Sequence, residues 1–246
     1  MAGIKLYDLA GRDERVRYSP YVWRVRMALA HKGLPFETVP WRMVEKDRLA
    51  FSVQGLVPVM VDGDTVVADS WAIACHLDDT YPDLPTLMGR VLGRAHALFV
   101  KHWVERAVHP AMSRIIMPEL LEVIHEGDLA YFRETREQRF GTTLERWALP
   151  PDEGVAALRV ALAPARATLE AQPYLGGTRP SFADYCLFGN FMWMRCVSQI
   201  EPLTSDDPLL GWRERLLDLF DGMARNAPRA RPRVGSPPPR RMTASR

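Results

Sequence analysis

Ser19 and Pro20 lie at the predicted start of a helix that directly follows the first predicted strand. Serine is favoured just before the first turn of a helix, and proline is favoured within that turn. Such a helix end carries unpaired N–H groups and a partial positive charge. The Ser19 hydroxyl could therefore donate a hydrogen bond to a bound anion such as a thiolate, or serve only as a helix cap. A thiol–disulfide enzyme would need a cysteine at position 19, so that activity is not expected.

Val57 and Pro58 open a predicted strand at residues 57–61. Proline is tolerated at the first position of a strand, where its missing N–H is not needed. A cis bond before Pro58 would turn the main-chain N–H and C=O of Val57 outward, free to pair with a peptide-like ligand. Because only about 5–6% of X–Pro bonds in folded proteins are cis, the residues alone favour an ordinary edge proline.

Asp69 and Ser70 stand at a predicted junction between a strand and a helix. Ser70 is expected to cap that helix. Its hydroxyl and the neighbouring N–H groups could equally hold a ligand carboxylate, while Asp69 could pair with an ammonium group. The two receptors together would suit an amino-acid-like head group.

Predicted strands and helices alternate along the part of the chain that contains Ser19, Val57-Pro58 and Asp69-Ser70. Alternating apolar and polar residues predict a strand over 4–9, and a helix from Pro20 is expected to end at Gly33. The remaining predicted elements of this part are strands at 36–41, 57–61 and 65–68, a short helical segment within 42–53 and a helix over 70–80. The first 85 residues are therefore predicted to form a β-α-β-α-β-β-α domain.

Every later segment has helical periodicity. Residues 186–197, "CLFGNFMWMRCV", are apolar on nearly all sides, which predicts a buried central helix. We expect an α/β domain at 1–85 followed by an all-α domain at 86–225. Residues 226–246 contain six Arg, five Pro and no acidic residue, and they are expected to be a disordered basic tail.

Composition and charge narrow the function classes. The chain has 246 residues and a formal net charge of +2. This net charge is positive because of the arginines in the tail. No apolar run approaches the ~20 residues of a membrane span, and no secretory signal is visible. Three cysteines without a CxxC pair suggest free thiols in a reducing compartment such as the cytoplasm. The six histidines follow no metal-binding pattern, so no metal is expected. The basic tail could bind phosphate, but a solvated tail is the simpler interpretation, so no nucleic-acid partner is expected.

Three stretches resemble the N-terminal thioredoxin-like domain of the glutathione S-transferases in sequence and spacing: "SPYVWRVRMALAHKGLPFETV", "GLVPVMVDG" and "VVADSWAIACHLDDTYP". A fourth, "LGGTRPSFADYCLF", resembles the Ser-x-x-Asp helix start of the family's second domain, where Ser181 and Asp184 are predicted to form a structural capping box. Within the family the chain looks most similar to bacterial glutathione-dependent β-aryl etherases and related fungal transferases of the FuA type.

The resemblance implies a catalytic position for Ser19, near the sulfur of glutathione. Some classes of the family use a tyrosine near this point, so Tyr18 is the neighbouring alternative. A free thiol titrates near ~8.5, and donor groups at a helix end would favour the thiolate. That thiolate would then attack an electrophilic carbon.

The resemblance also implies how glutathione would be held as co-substrate. The main chain of Val57, ahead of a cis Pro58, would pair with the cysteinyl part, while Asp69 and Ser70 would hold the γ-glutamyl head. Three further candidates for the glycine carboxylate are Trp41, Arg42 and Gln54.

The second substrate is expected to be a small hydrophobic electrophile, with a lignin-derived β-aryl ether as the narrower option. We expect its cavity to be lined by the loop at 10–18 and by the helix that carries Phe99, His102 and Trp103. The family resemblance implies a homodimer. The alternative function is a non-catalytic protein of the same fold that binds hydrophobic ligands in this cleft.

Overall fold

The computed structural model describes residues 3–89 and 91–230 of the chain. Its first part combines a sheet with helices, because short alternating segments are interrupted by helix-capping and turn residues. The elements are β1 (Ile4–Leu9), α1 (Pro20–Lys32), β2 (Phe36–Trp41), a 3-10 helix (Lys46–Ser52), β3 (Val59–Asp62), β4 (Thr65–Ala68) and α2 (Ser70–Thr80).

The four strands form one mixed sheet in the order β2-β1-β3-β4. β1 pairs in parallel with β2, whereas β3 runs antiparallel to both β1 and β4. At the centre, Leu6 lies opposite Thr38 on one side and Met60 on the other. The predicted α/β class is confirmed, although β3 begins two residues later than expected, after Pro58, which has no N–H to contribute to the ladder.

All the remaining elements are helical, as predicted. They are α3 (Val91–Trp103), α4 (His109–Val123), α5 (Glu126–Phe140), α6 (Leu144–Trp147), α7 (Pro151–Ala161), α8 (Ala163–Ala171), α9 (Phe182–Val197) and α10 (Pro208–Gly222). A π-helical turn at Val104–Val108 joins α3 to α4. Among the described residues, no helix is long and apolar enough to cross a membrane.

Helix α9 is the centre of the helical part and packs against α1. All but one of its residues are buried, which confirms the prediction of a buried central helix. The two helices approach most closely at Gly189, where a β-carbon would lie 2.3 Å from the carbonyl oxygen of Pro20. Next to this contact, buried Arg24 of α1 forms a 2.7 Å ion pair with Glu105. The start of α1 is therefore held in place by the helical part.

The start of α9 has the predicted capping box between Ser181 and Asp184. The buried Asp184 carboxylate also accepts hydrogen bonds from the main-chain N–H groups of Leu175 and Gly176 and from the indole of Trp212, at 2.7–2.9 Å. This carboxylate therefore ties the preceding turn and α10 to α9, in the structural role expected from the sequence.

The three cysteines are all free thiols. Residues 226–230, which we expected to open a disordered tail, continue the folded chain: the Ala230 N–H donates to the Cys196 carbonyl at 2.8 Å. The remainder of the predicted tail, 231–246, lies outside the described residues.

Candidate functional site

A cavity of about 580 Å³ lies between the sheet end of the α/β part and the helical part. Ser19, Val57 and Asp69, which are far apart in the chain, all line it. They meet because α1, β3 and α2 start at this same side of the molecule. The structure therefore brings together the three features that the sequence singled out separately.

Ser19 is both a helix cap and a wall of the cavity. Its Oγ accepts a hydrogen bond from the Val22 N–H at 3.3 Å, and the residue is 3% exposed. The hydroxyl proton has no acceptor among the described residues. Because capping uses a lone pair and leaves that proton available, the two interpretations of Ser19 are compatible.

Tyr18 also lines the cavity and carries a second hydroxyl. Its Oη is buried and has no hydrogen-bond partner within residues 3–89 and 91–230. Burial raises the pKa of Tyr18 above its ordinary value, with a further rise caused by the negative charge of Asp128. The phenol is thus protonated at neutral pH and can act only as a neutral donor or acceptor.

The peptide bond between Val57 and Pro58 is cis, as the family resemblance implies. The main-chain N–H and C=O of Val57 form no hydrogen bond with the described part of the chain. Val57 and Pro58 both line the cavity. The site therefore presents a main-chain donor and acceptor side by side, which is the pairing edge that an extended peptide uses.

Helix α2 is capped by Asp69, which corrects the prediction that Ser70 is the cap. The Asp69 carboxylate accepts from the N–H groups of Trp71 and Ala72 at 2.8 and 3.1 Å. Asp69 has a φ of +78°, a strained conformation for a residue other than glycine that recurs at ligand-binding sites. Its own N–H donates to the carbonyl of Pro58 at 3.2 Å, which links α2 to the start of β3.

Ser70 is instead the first residue of α2. It is 1% exposed, and its Oγ has no hydrogen-bond partner among the residues described. A buried hydroxyl without a partner is costly unless a ligand satisfies it. Ser70 lies next to Asp69 but outside the cavity lining, so a ligand would reach its hydroxyl at the N-terminal end of α2.

The three candidates for the glycine carboxylate have different environments. Trp41 and Gln54 line the cavity, and the Trp41 indole donates to the carbonyl of Glu45 at 2.8 Å. Arg42 does not line it. Its guanidinium is held by Glu45 at 2.8 Å and contacts His125 at 3.2 Å. The structure therefore does not bring Arg42 to the site.

The part of the cavity expected to hold the second substrate, here called the acceptor wall, differs from our expectation. Phe99, His102 and Trp103 do not line it, and Phe99 is 73% exposed on α3. Within the predicted loop at 10–18, only Tyr18 contributes. The wall is formed instead by α4 and α5 with two further tryptophans: His109, Pro110, Ser113, Met117, Leu120, Tyr131, Phe132, Arg136, Arg139, Phe140, Trp147 and Trp193. In the sequence, Phe132, Arg136 and Phe140 are spaced by four residues, which indicates that they lie on one face of a helix.

Comparison with known proteins identifies the family. A model of the glutathione S-transferase N-terminal domain matches residues 18–80, and a model of the C-terminal domain matches residues 95–212. Glutathione S-transferase 4 of Zea mays is 30% identical over 189 residues, which is 74% of this chain and 75% of the relative. The chain belongs to the glutathione S-transferase family.

Two solved structures show how closely the fold follows this transferase family. Glutathione transferase GSTFuA3 of Phanerochaete chrysosporium superimposes with a TM-score of 0.79 at 25% identity, covering 88% of this chain and 96% of the other. A glutathione S-transferase of Ceriporiopsis subvermispora, solved in complex with glutathione, gives a TM-score of 0.74 at 25% identity, covering 89% and 96%. The resemblance to fungal transferases thus extends over most of the chain.

His109 contributes a neutral ring to this wall of the cavity. The ring stacks on Trp193 with centroids 4.7 Å apart, and Nδ1 lies 2.9 Å from the Asn190 Oδ1. Because the Asn190 amide nitrogen donates to the Cys186 carbonyl, its oxygen faces His109 and Nδ1 carries the ring proton. Burial lowers the pKa of His109 to about 4, against a smaller opposing effect of the Asn190 hydrogen bond.

This pKa predicts an acid-dependent loss of stability. An unfolded histidine titrates near ~6.5, so between this pH and about 4 only the unfolded chain takes up the proton. The stabilisation is therefore complete above the unfolded pKa and is lost as the pH falls. Between pH ~7 and ~5 we expect this histidine to cost about 2 kcal/mol of unfolding free energy. His109→Gln should remove that part of the slope in urea unfolding, and an unchanged slope would contradict the assignment.

The described residues contain no group of three or more His, Cys, Asp or Glu placed to hold a metal ion. The described residues that line the cavity carry hydroxyls, aromatic rings, the Gln54 amide, the Asp69 carboxylate, the His109 imidazole and the guanidinium groups of two arginines.

Proposed function

We propose that this chain is a glutathione transferase that binds glutathione along the sheet side of the cavity and stabilises its thiolate at the start of α1. One observation carries the proposal: the unpaired main-chain N–H and C=O of Val57 and the available Ser19 hydroxyl line the same cavity. The first suits the peptide part of the ligand, and the second suits its sulfur.

The proposed binding mode uses each end of the ligand. The Asp69 carboxylate pairs with the γ-glutamyl ammonium group. The Ser70 hydroxyl, which lacks a partner among the described residues, donates a hydrogen bond to the adjacent γ-glutamyl carboxylate. The glycine end lies toward Trp41 and Gln54, both of which line the cavity. Both ends of the tripeptide therefore have a candidate partner in the site. Arg42, the remaining candidate for the glycine carboxylate, is not used in this binding mode.

The chemistry follows from where charge is stabilised. A hydrogen bond from the Ser19 hydroxyl and the positive end of α1 both favour the anionic sulfur over the neutral thiol. When bound, glutathione supplies a thiolate that forms a carbon–sulfur bond to the electrophile while the leaving group departs with its bonding electrons. The aromatic wall of α4 and α5 supports an aromatic electrophile as second substrate.

Removing the charge of Asp69 should weaken glutathione binding without unfolding α2. Asp69→Asn keeps an oxygen that can cap the helix, and asparagine tolerates a positive φ. We expect the Kd for glutathione, measured by calorimetry, to rise at least tenfold because the ammonium group loses its ionic partner. An unchanged Kd, with urea unfolding also unchanged, would remove Asp69 from the binding site.

A turnover assay separates the enzyme from the alternative function, a binding protein for hydrophobic ligands. We expect calorimetry to detect glutathione binding and a panel of aromatic halides and β-aryl ethers to show glutathione-dependent turnover. Tight binding of hydrophobic ligands without turnover of any electrophile would favour the alternative. Cleavage of an aryl ether, but not of the halides, would support the narrower β-etherase activity.

We also propose that the transferase is a cytoplasmic homodimer. Three free cysteines support a reducing compartment. Several large apolar side chains are exposed, Val91, Leu92 and Phe99 on α3 and Val66 on β4, and a second copy would cover them. Light scattering should give twice the chain mass at micromolar concentration, and a monomer there would contradict the dimer.

A further inference from the structure

Arg136 of α5 is a cation inside the cavity without an ionic partner. Its guanidinium lies over the Phe132 ring at 4.9 Å, and Nη1 donates to the Thr135 hydroxyl at 2.9 Å. It forms no ion pair with any residue in 3–89 or 91–230. Burial lowers the pKa of Arg136, which reflects the cost of holding this charge among aromatic groups.

Arg139, one turn further along α5, also lines the cavity and likewise has no ionic partner in the described part of the chain. It is exposed and stands at the rim, whereas Arg136 is half-buried. A third arginine of the same helix, Arg133, behaves differently: it is paired with Glu137 and Glu145, each at 2.8 Å. Within α5, the two arginines that line the cavity are therefore the ones that lack an ionic partner in the described part of the chain.

The cavity lining offers little negative charge to these cations. Asp69 is the sole acidic residue among the lining residues described, and its carboxylate caps α2 on the opposite, sheet side. His109, which is on the same wall as the arginines, is neutral at physiological pH. A half-buried guanidinium with no counter-ion is costly, and an anion entering the cavity would offset that cost.

We propose that the electrophile accepted by this cavity is an aromatic compound that bears an anionic group, a carboxylate in the simplest case. Arg136 holds the anion in the forked geometry that guanidinium and carboxylate share, and Arg139 attracts it at the rim. The inference rests on the proposed transferase function, since it names the class of its second substrate. The glutathione carboxylates are bound elsewhere, at Ser70 and near Gln54.

The test compares two electrophiles of the same shape: a chloronitrobenzoate and the chloronitrobenzamide with identical ring positions. Each kcat/KM is divided by the uncatalysed rate with glutathione, which removes the difference in intrinsic reactivity. We expect the native chain to prefer the carboxylate at least tenfold and Arg136→Gln to lose about tenfold of that preference. Arg133→Gln, which removes the same charge from the outer face of α5, should keep the preference.

Two results would overturn the inference. The native chain could process both electrophiles with the same normalised kcat/KM. Arg136→Gln could keep the native preference, either with both rates unchanged or with both rates lowered by the same factor.

A binding measurement separates the inference from the proposed function. The unreactive nitrobenzoate and nitrobenzamide are titrated into the chain saturated with glutathione. Tighter binding of the nitrobenzoate that is lost in Arg136→Gln would support the anion site, even if no electrophile were turned over. The absence of turnover would refute the transferase proposal but not the anion site. Equal binding of the two compounds refutes the anion site.

Discussion

Replacing Ser19 by alanine should lower kcat/KM for glutathione conjugation about 100-fold at neutral pH. A hydrogen bond to a charged group contributes about 1.5–3 kcal/mol, and each ~1.4 kcal/mol changes a rate tenfold. The Ser19 hydroxyl has its proton available at the cavity while its lone pair accepts from the Val22 N–H. The variant should also need a higher pH for half-maximal rate, because the bound thiol loses a stabilising donor.

Two further variants show whether the lost activity comes from the hydroxyl or from the helix cap. Ser19→Thr keeps both the donor and the cap, so it should retain most of the activity that Ser19→Ala loses. Loss of the cap alone should cost about 1 kcal/mol in urea unfolding. If Ser19→Ala is fully active and Tyr18→Phe is not, the phenol of Tyr18 is the donor and the proposed role of Ser19 is wrong.

Replacing Gly189 by alanine should be the most destabilising single-methyl change in the domain contact. The added β-carbon would lie 2.3 Å from the Pro20 carbonyl oxygen and 3.2 Å from the Arg24 Cγ. The first of these atoms is main chain and cannot rotate away, so α1 must move from α9. We expect the unfolding free energy to fall by about 3 kcal/mol, at the upper end of the usual overpacking cost.

The consequence for activity follows from what α1 carries. Pro20 is the first residue of α1, and its neighbour Ser19 lines the cavity. A shift of this helix start should therefore lower kcat/KM in the fraction of Gly189→Ala that remains folded.

Gly211→Ala is a matched control at an exposed position of α10, where the only described atom within 4 Å of the new β-carbon would be Nη1 of Arg215, at 3.4 Å. It should be neutral or stabilise by up to about 1 kcal/mol. Equal stability of the two variants would contradict the tight contact between α1 and α9.

The sheet side of the site could be predicted because local residue preferences determine it. The bounds of α1 follow from Ser19 and Pro20 at one end and from Gly33, with a φ of +68°, at the other. At the second junction the same preferences were misleading: both Asp69 and Ser70 are good caps, and the structure has Asp69, with a φ of +78°, as the cap and Ser70 as the first helical residue. The Asp69 N–H also donates to the Pro58 carbonyl, a tertiary contact that local residue preferences do not predict.

The acceptor wall could not be predicted in the same way. An amphipathic pattern shows that a helix has an apolar face, but not which neighbour that face meets. For this reason Phe99, on an exposed face of α3, was expected in the cavity, and α4 and α5 were not. Arg42 lies outside the cavity lining for a local reason, because Glu45, three residues later, binds its guanidinium.

The most direct test of the central claim is a titration of the glutathione thiol while it is bound. The thiolate absorbance of the saturated complex is followed as the pH is raised, with free glutathione as the reference. The bound thiol should titrate at least one pH unit below the ordinary value of about 8.5, and Ser19→Ala should move the midpoint back toward it. A bound thiol that titrates at the same pH as free glutathione, or a chain that does not bind glutathione, would contradict thiolate stabilisation at the start of α1.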